Sequence, residues 1–168
     1  DEDRENEGDV AIPAQYCTSN MVNFMAKEAR GLICTPLDAE IAEKLNLNLM
    51  TGEAEDAIEN TAFTVTVEAA TGITTGISAK DRARTIQVLA DQESSAKDLV
   101  KPGHVFPLKA REGGVLVRAG QTEASVDLCK MAGLYPVAVI CEIMKDDGEM
   151  ARMDDLEEFA DKHKMKII

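Results

Sequence analysis

The stretch from Val137 to Ile143 is apolar at every position except Glu142. It is far shorter than the roughly 20 apolar residues a membrane-spanning helix needs. A run of this kind suits a strand buried on both faces, and it is the candidate for a central strand. Such a strand needs packed layers around it, and the rest of the chain supplies alternating helical and extended patterns.

Thr18-Ser19-Asn20 offers N-cap chemistry, and Val22, Met25, Ala26 and Ala29 follow at helical spacing until Gly31 closes the segment. Leu32-Ile33-Cys34 reads as a short buried strand ended by Thr35-Pro36. Asp38 is placed to cap a second helix through Ile41, Ala42 and Leu45. Residues 46–60 are acidic and irregular, which predicts a loop. Phe63, Val65 and Val67 alternate with Thr64, Thr66 and Glu68, the period of a strand with one face on a core. Thr71 to Ser78 is rich in hydroxyls and glycine and leads into a helix through Ala79, Ala83, Ile86 and Ala90. Pro102-Gly103-His104-Val105-Phe106-Pro107 reads as a rigid loop and Val115-Leu116-Val117 as a strand. A helix with Ala124, Leu128, Met131 and Ala132 on its apolar face follows. Asp146-Asp147-Gly148 turns the chain, and Leu156, Phe159, Ala160 and His163 mark a last amphipathic helix. These patterns predict a mixed α/β or α+β domain of strands and packed helices, without internal repeats or a low-complexity linker.

The 168 residues amount to one domain, and a hydrophobic content of 45% excludes a disordered chain. A formal net charge of −13 repels a nucleic-acid backbone or an anionic membrane, so neither is expected as a partner. Cys17, Cys34, Cys129 and Cys141 are dispersed, with no CxxC spacing, and read as reduced, buried thiols of a cytoplasmic protein.

The first nine residues carry six carboxylates and Arg4. Concentrated hard oxygen donors suit Mg²⁺, and an arginine supplies a planar donor for phosphate, although an acid-rich terminus can equally be a solvated tail. The turn from Arg118 to Thr122 combines a guanidinium, a glycine, a hydroxyl and a helix start, the parts of an anion cradle. The hydroxyl-rich loop before Ala79 reads as ordinary capping. Glu142 interrupts the apolar strand, so it either faces solvent or serves as a general acid or base. His104 is a proton shuttle or a structural hydrogen-bonding group. His163 continues the apolar face of the last helix and reads as structural.

The segments DEDRENEGD (1–9), FTVTVEAA with TTGISAKDRARTI (63–86), KPGHVFPL (101–108), GGVLVRAGQTEASVDL (113–128) and CEIMKDDGEMAR (141–152) occur in this order. Together they resemble the 3,4-dihydroxy-2-butanone 4-phosphate synthases of riboflavin biosynthesis, from the first residue to the last. The resemblance implies an α+β single domain, a mixed sheet with packed helices, and a homodimer with active sites at the subunit interface. It also implies conversion of ribulose 5-phosphate to 3,4-dihydroxy-2-butanone 4-phosphate and formate, with Mg²⁺ or Mn²⁺. The family's reaction passes through an enediol, loss of water, a skeletal shift and formate release.

By the same resemblance Glu5 is a metal ligand, Arg4 and Asp9 contact substrate, with Asp9 suited to orient or deprotonate a hydroxyl, and His104 is essential; Glu142 joins them as the catalytic acid or base that its apolar setting favours. Glu7 lies between these residues as a weaker candidate. Arg118, Gly120, Gln121 and Thr122 are expected at the phosphate end. Gln121 departs from the pattern, because the family commonly has histidine there as a second metal ligand. That departure leaves open a catalytically weakened sugar-phosphate-binding relative or partner subunit. Residues 1–168 are expected to be a synthase domain truncated at its N-terminus, since the family has a helix and a strand before the acidic motif. Continuation past Ile168 is left open, many relatives being fused to a GTP cyclohydrolase II domain.

Overall fold

The computed structural model describes residues 4–51 and 61–168. Asp1 to Asp3 and most of the loop expected over 46–60 lie outside the described residues. The described chain forms β1 (Asp9–Pro13), α1 (Ser19–Phe24), β2 (Cys34–Leu37), α2 (Ala39–Lys44), β3 (Val67–Ala69), α3 (Ala79–Leu89), β4 (Leu99–Lys109), α4 (Gln121–Met131), β5 (Ala138–Glu142) and α5 (Met153–His163). The sheet order is β1-β5-β2-β4-β3. Only β2 and β4 run parallel, so the sheet is mixed, as expected of an α+β domain.

The apolar run becomes β5, paired on both sides, by β1 and by β2. Its side chains alternate between two clusters. Val137, Val139, Cys141 and Ile143 enter the main core with Met25, Leu37, Val67, Ile86 and Leu89. Ile140 belongs to a smaller cluster with Cys34 and Leu108, against which Phe63 and Phe106 pack. Glu142 shares the side of Ile140, because side chains two apart on a strand point the same way. The strand's one carboxylate is thereby delivered to the face carrying the smaller cluster.

Several elements differ from expectation, each for a physical reason. The first helix is capped by Thr18 as predicted but widens into a π turn over Met25–Ala29 and is closed by Arg30 at φ 71°. Gly31 answers a different need: a Cβ there would lie 2.4 Å from the Glu142 carbonyl oxygen. The strand expected at Leu32 to Cys34 begins at Cys34 and runs through Thr35-Pro36. The strand expected over 63–68 is continuous only from Val67, where β3 runs Val67–Ala69. Thr64, not its apolar neighbours, is fully buried, since its backbone and hydroxyl both donate to the Pro107 carbonyl.

The predicted loop at 102–107 is part of the longest strand. Prolines withdraw donors but leave carbonyls able to accept, and β4 tolerates them around a bulge. Val67 pairs with Val105 while Glu68 pairs with Val100, so Lys101, Pro102, Gly103 and His104 arch out between those pairs. Val115 to Val117, expected as a strand, instead belongs to an exposed 3-10 turn over Gly114–Leu116. Gly113 and Gly114 enter it at φ 91° and 61°, which forces the turn. The face predicted to bury α4 is also reversed: Leu128 and Met131 are 42% and 84% exposed, while Thr122, Glu123, Ser125, Val126 and Cys129 face inward.

Candidate active site

Residues 4–8 are a pinned loop, not a solvated tail. Arg152, at the start of α5, donates to the carbonyl of Glu5 at 3.0 Å and to that of Asn6. Gly8 lies so close under Leu156 that a Cβ would approach its Cδ1 to 2.5 Å. Arg4 donates to the Ala119 carbonyl, tying this loop to the turn before α4. The acidic loop thus hangs between two helices with its carboxylates turned toward the sheet.

A cavity of about 360 Å³ opens there. Glu5, Glu7, Asp9 and Glu142 form its acidic wall, Arg118, Gln121 and Thr122 face them, and Cys34, Leu108 and Ile140 are on its floor. Asp9 and Glu142 are direct partners across β1 and β5. Like charges opposed in this way repel. Burial first, then Glu142, Glu7 and Glu5, push the Asp9 carboxyl up to about 7. Its Oδ1 is shut from solvent with no hydrogen-bond partner. Glu7 is raised as well, by burial, Glu5 and Glu142, with Arg152 opposing. Glu142 is oriented by its Oε2, which accepts the Leu32 N–H at 2.8 Å.

On the opposite wall Arg118 is braced by its neighbours. Arg118 Nη1 donates to Glu123 Oε2 at 2.6 Å and Nη2 to the Thr61 hydroxyl at 2.9 Å. Glu123 is 1% exposed, and its Oε1 accepts the Arg111 N–H at 2.9 Å. Gly120 makes room for this arrangement, since a Cβ would lie 2.1 Å from Arg118 Nη1. It caps α4 without a side chain, so the first amides of the helix, at Gln121 and Thr122, lie beside the guanidinium.

Of the residues expected at the site, Glu5, Glu7, Asp9, Glu142, Arg118, Gln121 and Thr122 converge on the cavity. Arg4 and Gly120 act behind its walls. His104 is not on the cavity lining; it sits on the β4 bulge beside Glu68. The hydroxyl-rich loop has the capping role expected of it, with Asp81 accepting from Thr74 and Gly76 and donating its own N–H to Ser78. His163 is structural, packed edge-on against Phe24 and tilted against Phe159, with ring centroids 4.9 Å and 4.5 Å apart. Thr61, Phe63 and Glu123 were not singled out in the sequence. Glu123 carried the one available signal, an acid five residues after an arginine in a tight turn.

The donor set fits a hard divalent cation. Oxygen ligands crowd one wall, one of them buried and unsatisfied, and a cation would relieve the repulsion that raises Asp9. Among the described residues no three His, Cys, Asp or Glu side chains already close on a metal position. Mg²⁺ requires no such cluster, since it takes one or two carboxylates and completes its shell with water and substrate oxygens.

Comparison with known proteins places the chain in a family. The chain belongs to the 3,4-dihydroxy-2-butanone 4-phosphate synthase family, whose model matches residues 1–168. It is 59% identical over 166 residues to the synthase of that name from Neisseria meningitidis serogroup A, covering 99% of this chain and 46% of the relative. A two-domain synthase from A. baumannii superposes with a TM-score of 0.94 at 51% identity, over 99% of this chain and 49% of that one. A synthase solved in complex with two magnesium ions also superposes at 0.94, with 40% identity, over 100% of this chain and 83% of that one. The chain spans about half the length of the curated relatives it matches.

Proposed function

We propose that this chain converts ribulose 5-phosphate to 3,4-dihydroxy-2-butanone 4-phosphate and formate, with Mg²⁺ or Mn²⁺. The observation that carries the reading is one cavity with crowded carboxylates on one wall and a braced arginine beside a helix N-terminus on the other. A phosphorylated keto-sugar has the same polarity, anionic at one end and rich in exchangeable protons at the other. The five carbons of the substrate become four plus one with all atoms accounted for. No outside oxidant or reductant is needed.

Arg118, Thr122 and the first amides of α4 take the phosphate, and Arg118 comes already aligned by Glu123. Glu142, anchored through Oε2, keeps Oε1 to accept the proton beside the ketone. Asp9 titrates near 7 and can both give and take a proton at neutral pH, as enolisation followed by dehydration requires. Glu5 and Gln121, both on the cavity wall, would hold the cation. When bound, the cation stabilises negative charge developing on neighbouring substrate oxygens.

The same reading makes the protein a homodimer with active sites at the subunit interface. His104 stands outside its own chain's cavity, with its side chain 46% exposed, and is assigned proton transfer at the site of the second subunit. Leu116, Val117 and Met131, 95%, 66% and 84% exposed, offer apolar surface for assembly. Four free buried thiols suit the cytoplasm. No helix among the described residues is long and apolar enough to cross a membrane.

The test is formate release from ribulose 5-phosphate. Release that depends on Mg²⁺ or Mn²⁺ is expected, and its absence with both ions sinks the assignment. Mixing His104→Asn with Glu142→Gln protein tests the shared site. If His104 works across the interface, mixed dimers hold one intact site and regain up to about a quarter of wild-type turnover; no regain refutes the sharing.

A further inference from the structure

We infer that Glu68 is a positioning residue for His104, fixing the imidazole with its proton on Nδ1 and its lone pair on Nε2. This rests on the reading of His104 as a proton-transfer residue. His104 Nδ1 contacts Glu68 Oε1, and the carboxylate is far less exposed than the ring, 14% against 46% by side chain. A carboxylate can only accept from that nitrogen, so Nδ1 is the protonated one and Nε2 faces away from Glu68.

Two glycines make room for this pair, and hydrogen bonds hold both of them in place. Gly76, at φ 95°, has no Cβ where one would fall 1.5 Å from Glu68 Oε1 and 2.7 Å from His104 Nδ1. At Gly103 a Cβ would fall 2.4 Å from Glu68 Cγ. Gly103 N–H in turn donates to the Thr66 hydroxyl at 3.0 Å, setting the bulge on which His104 rides. The hydroxyl-rich turn that brings Gly76 here is itself held by Asp81, which accepts the Gly76 N–H at 3.0 Å. Two glycines on separate segments therefore give way to one carboxylate. Paired with solvent instead, an imidazole favours the opposite tautomer and turns about its χ2 bond, and proton transfer would need a rarer arrangement.

The chain has only two histidines, so the ring nitrogens can be read directly. Long-range ¹H–¹⁵N spectra of the labelled protein, assigned by loss of one signal set in His104→Gln, should report Nδ1–H at His104. In Glu68→Ala that preference should be lost, and kcat should fall about 10- to 100-fold with KM within threefold, the scale felt when a carboxylate orienting a functional histidine is removed. Glu68→Gln, which keeps the shape and serves if alanine does not fold, should give mixed tautomers and a smaller loss in kcat. An unchanged tautomer in a folded Glu68 variant overturns the inference, as does unchanged kcat while His104→Gln is impaired. Wild-type turnover in His104→Gln overturns the reading of His104 itself, and the inference with it.

Discussion

On one wall of the cavity Arg118 and Glu123 form a buried pair whose other polar atoms bond to Thr61 and to the Arg111 amide. On the other wall Asp9 faces Glu142 across the sheet with one buried oxygen unpaired, and Glu7 and Glu5 add to the repulsion. Both walls desolvate charge, yet only the first supplies every counter-group from the chain itself. The paired wall is preorganised, so on the proposed function it takes the phosphate without first rearranging. The crowded wall stores repulsion that a cation or a mobile proton relieves, which is the condition for acid–base work near neutral pH.

Glu142→Gln breaks the crowded wall with the largest expected effect. The amide oxygen still accepts the Leu32 N–H, so the fold should hold, while proton abstraction loses its base. Formate release should fall by roughly 10²- to 10⁴-fold with the melting temperature little changed. A variant that keeps wild-type turnover would show that the crowding serves only the cation.

Glu123→Ala breaks the paired wall, and its effect should appear first in stability. It removes the buried Glu123 carboxylate that pairs with the Arg118 guanidinium, itself 12% exposed, a loss of about 3–5 kcal/mol. Urea unfolding measures that loss, and a rise in KM without a matching fall in kcat should accompany it as Arg118 loses its aim. A destabilisation under about 1 kcal/mol would mean that the pair is no better than a surface ion pair.

These two walls also divide what could be read in the sequence from what could not. The acidic run, Glu142 and the turn from Arg118 to Thr122 drew attention because their residue types conflict with their settings, charges beside or inside apolar segments, but it took the family resemblance to choose a site over a solvated tail for the acidic run. The inward face of α4 was not. Helical periodicity places Leu128 and Met131 inside, whereas the helix turns Thr122, Glu123 and Ser125 inward because Glu123 must reach Arg118. A hydrophobic pattern carries no term for an ion pair formed across a turn. The β4 bulge failed for a related reason: Pro102, Gly103 and Pro107 are local breakers, but β2 and β3 flank this segment and keep it in the sheet. His104 was singled out by the family resemblance, its chemistry alone leaving a structural role open, while its separation from the cavity depends on the strand order β2-β4-β3, which no local spacing encodes.

Asp9→Asn sharpens the comparison by removing the repulsion alone. The folded-state carboxyl titrates near 7, above the unfolded value of about 4, so between these values the folded chain binds the extra proton. Stability contributed by this group is therefore greatest below about pH 4 and declines as pH rises, reaching its minimum above 7. Metal-free protein should melt lower at pH 8 than at pH 5.5 on this account, and Asp9→Asn should raise the pH 8 value by roughly 3–8 °C. Added Mg²⁺ should stabilise the wild type more at pH 8 than at pH 5.5, because the ion and the proton compete for the same wall. An equal Mg²⁺ effect at both values would place the cation away from Asp9.

The smallest change joins the two walls, since Gln121 begins α4 on the arginine side yet faces the carboxylates. Its amide oxygen is a neutral, hard donor of the kind Mg²⁺ accepts, whereas an imidazole nitrogen favours a softer ion. Gln121→His should therefore raise the preference for Mn²⁺ over Mg²⁺ by about threefold to tenfold in direct metal titrations, while turnover with Mg²⁺ moves less than tenfold. A larger gain in turnover would mark the present chain as a weakened relative that lost a ligand. Little change would mean that Glu5, with substrate oxygens and water, already completes the site, and that the unpaired charge of the acidic wall is sufficient to hold the ion.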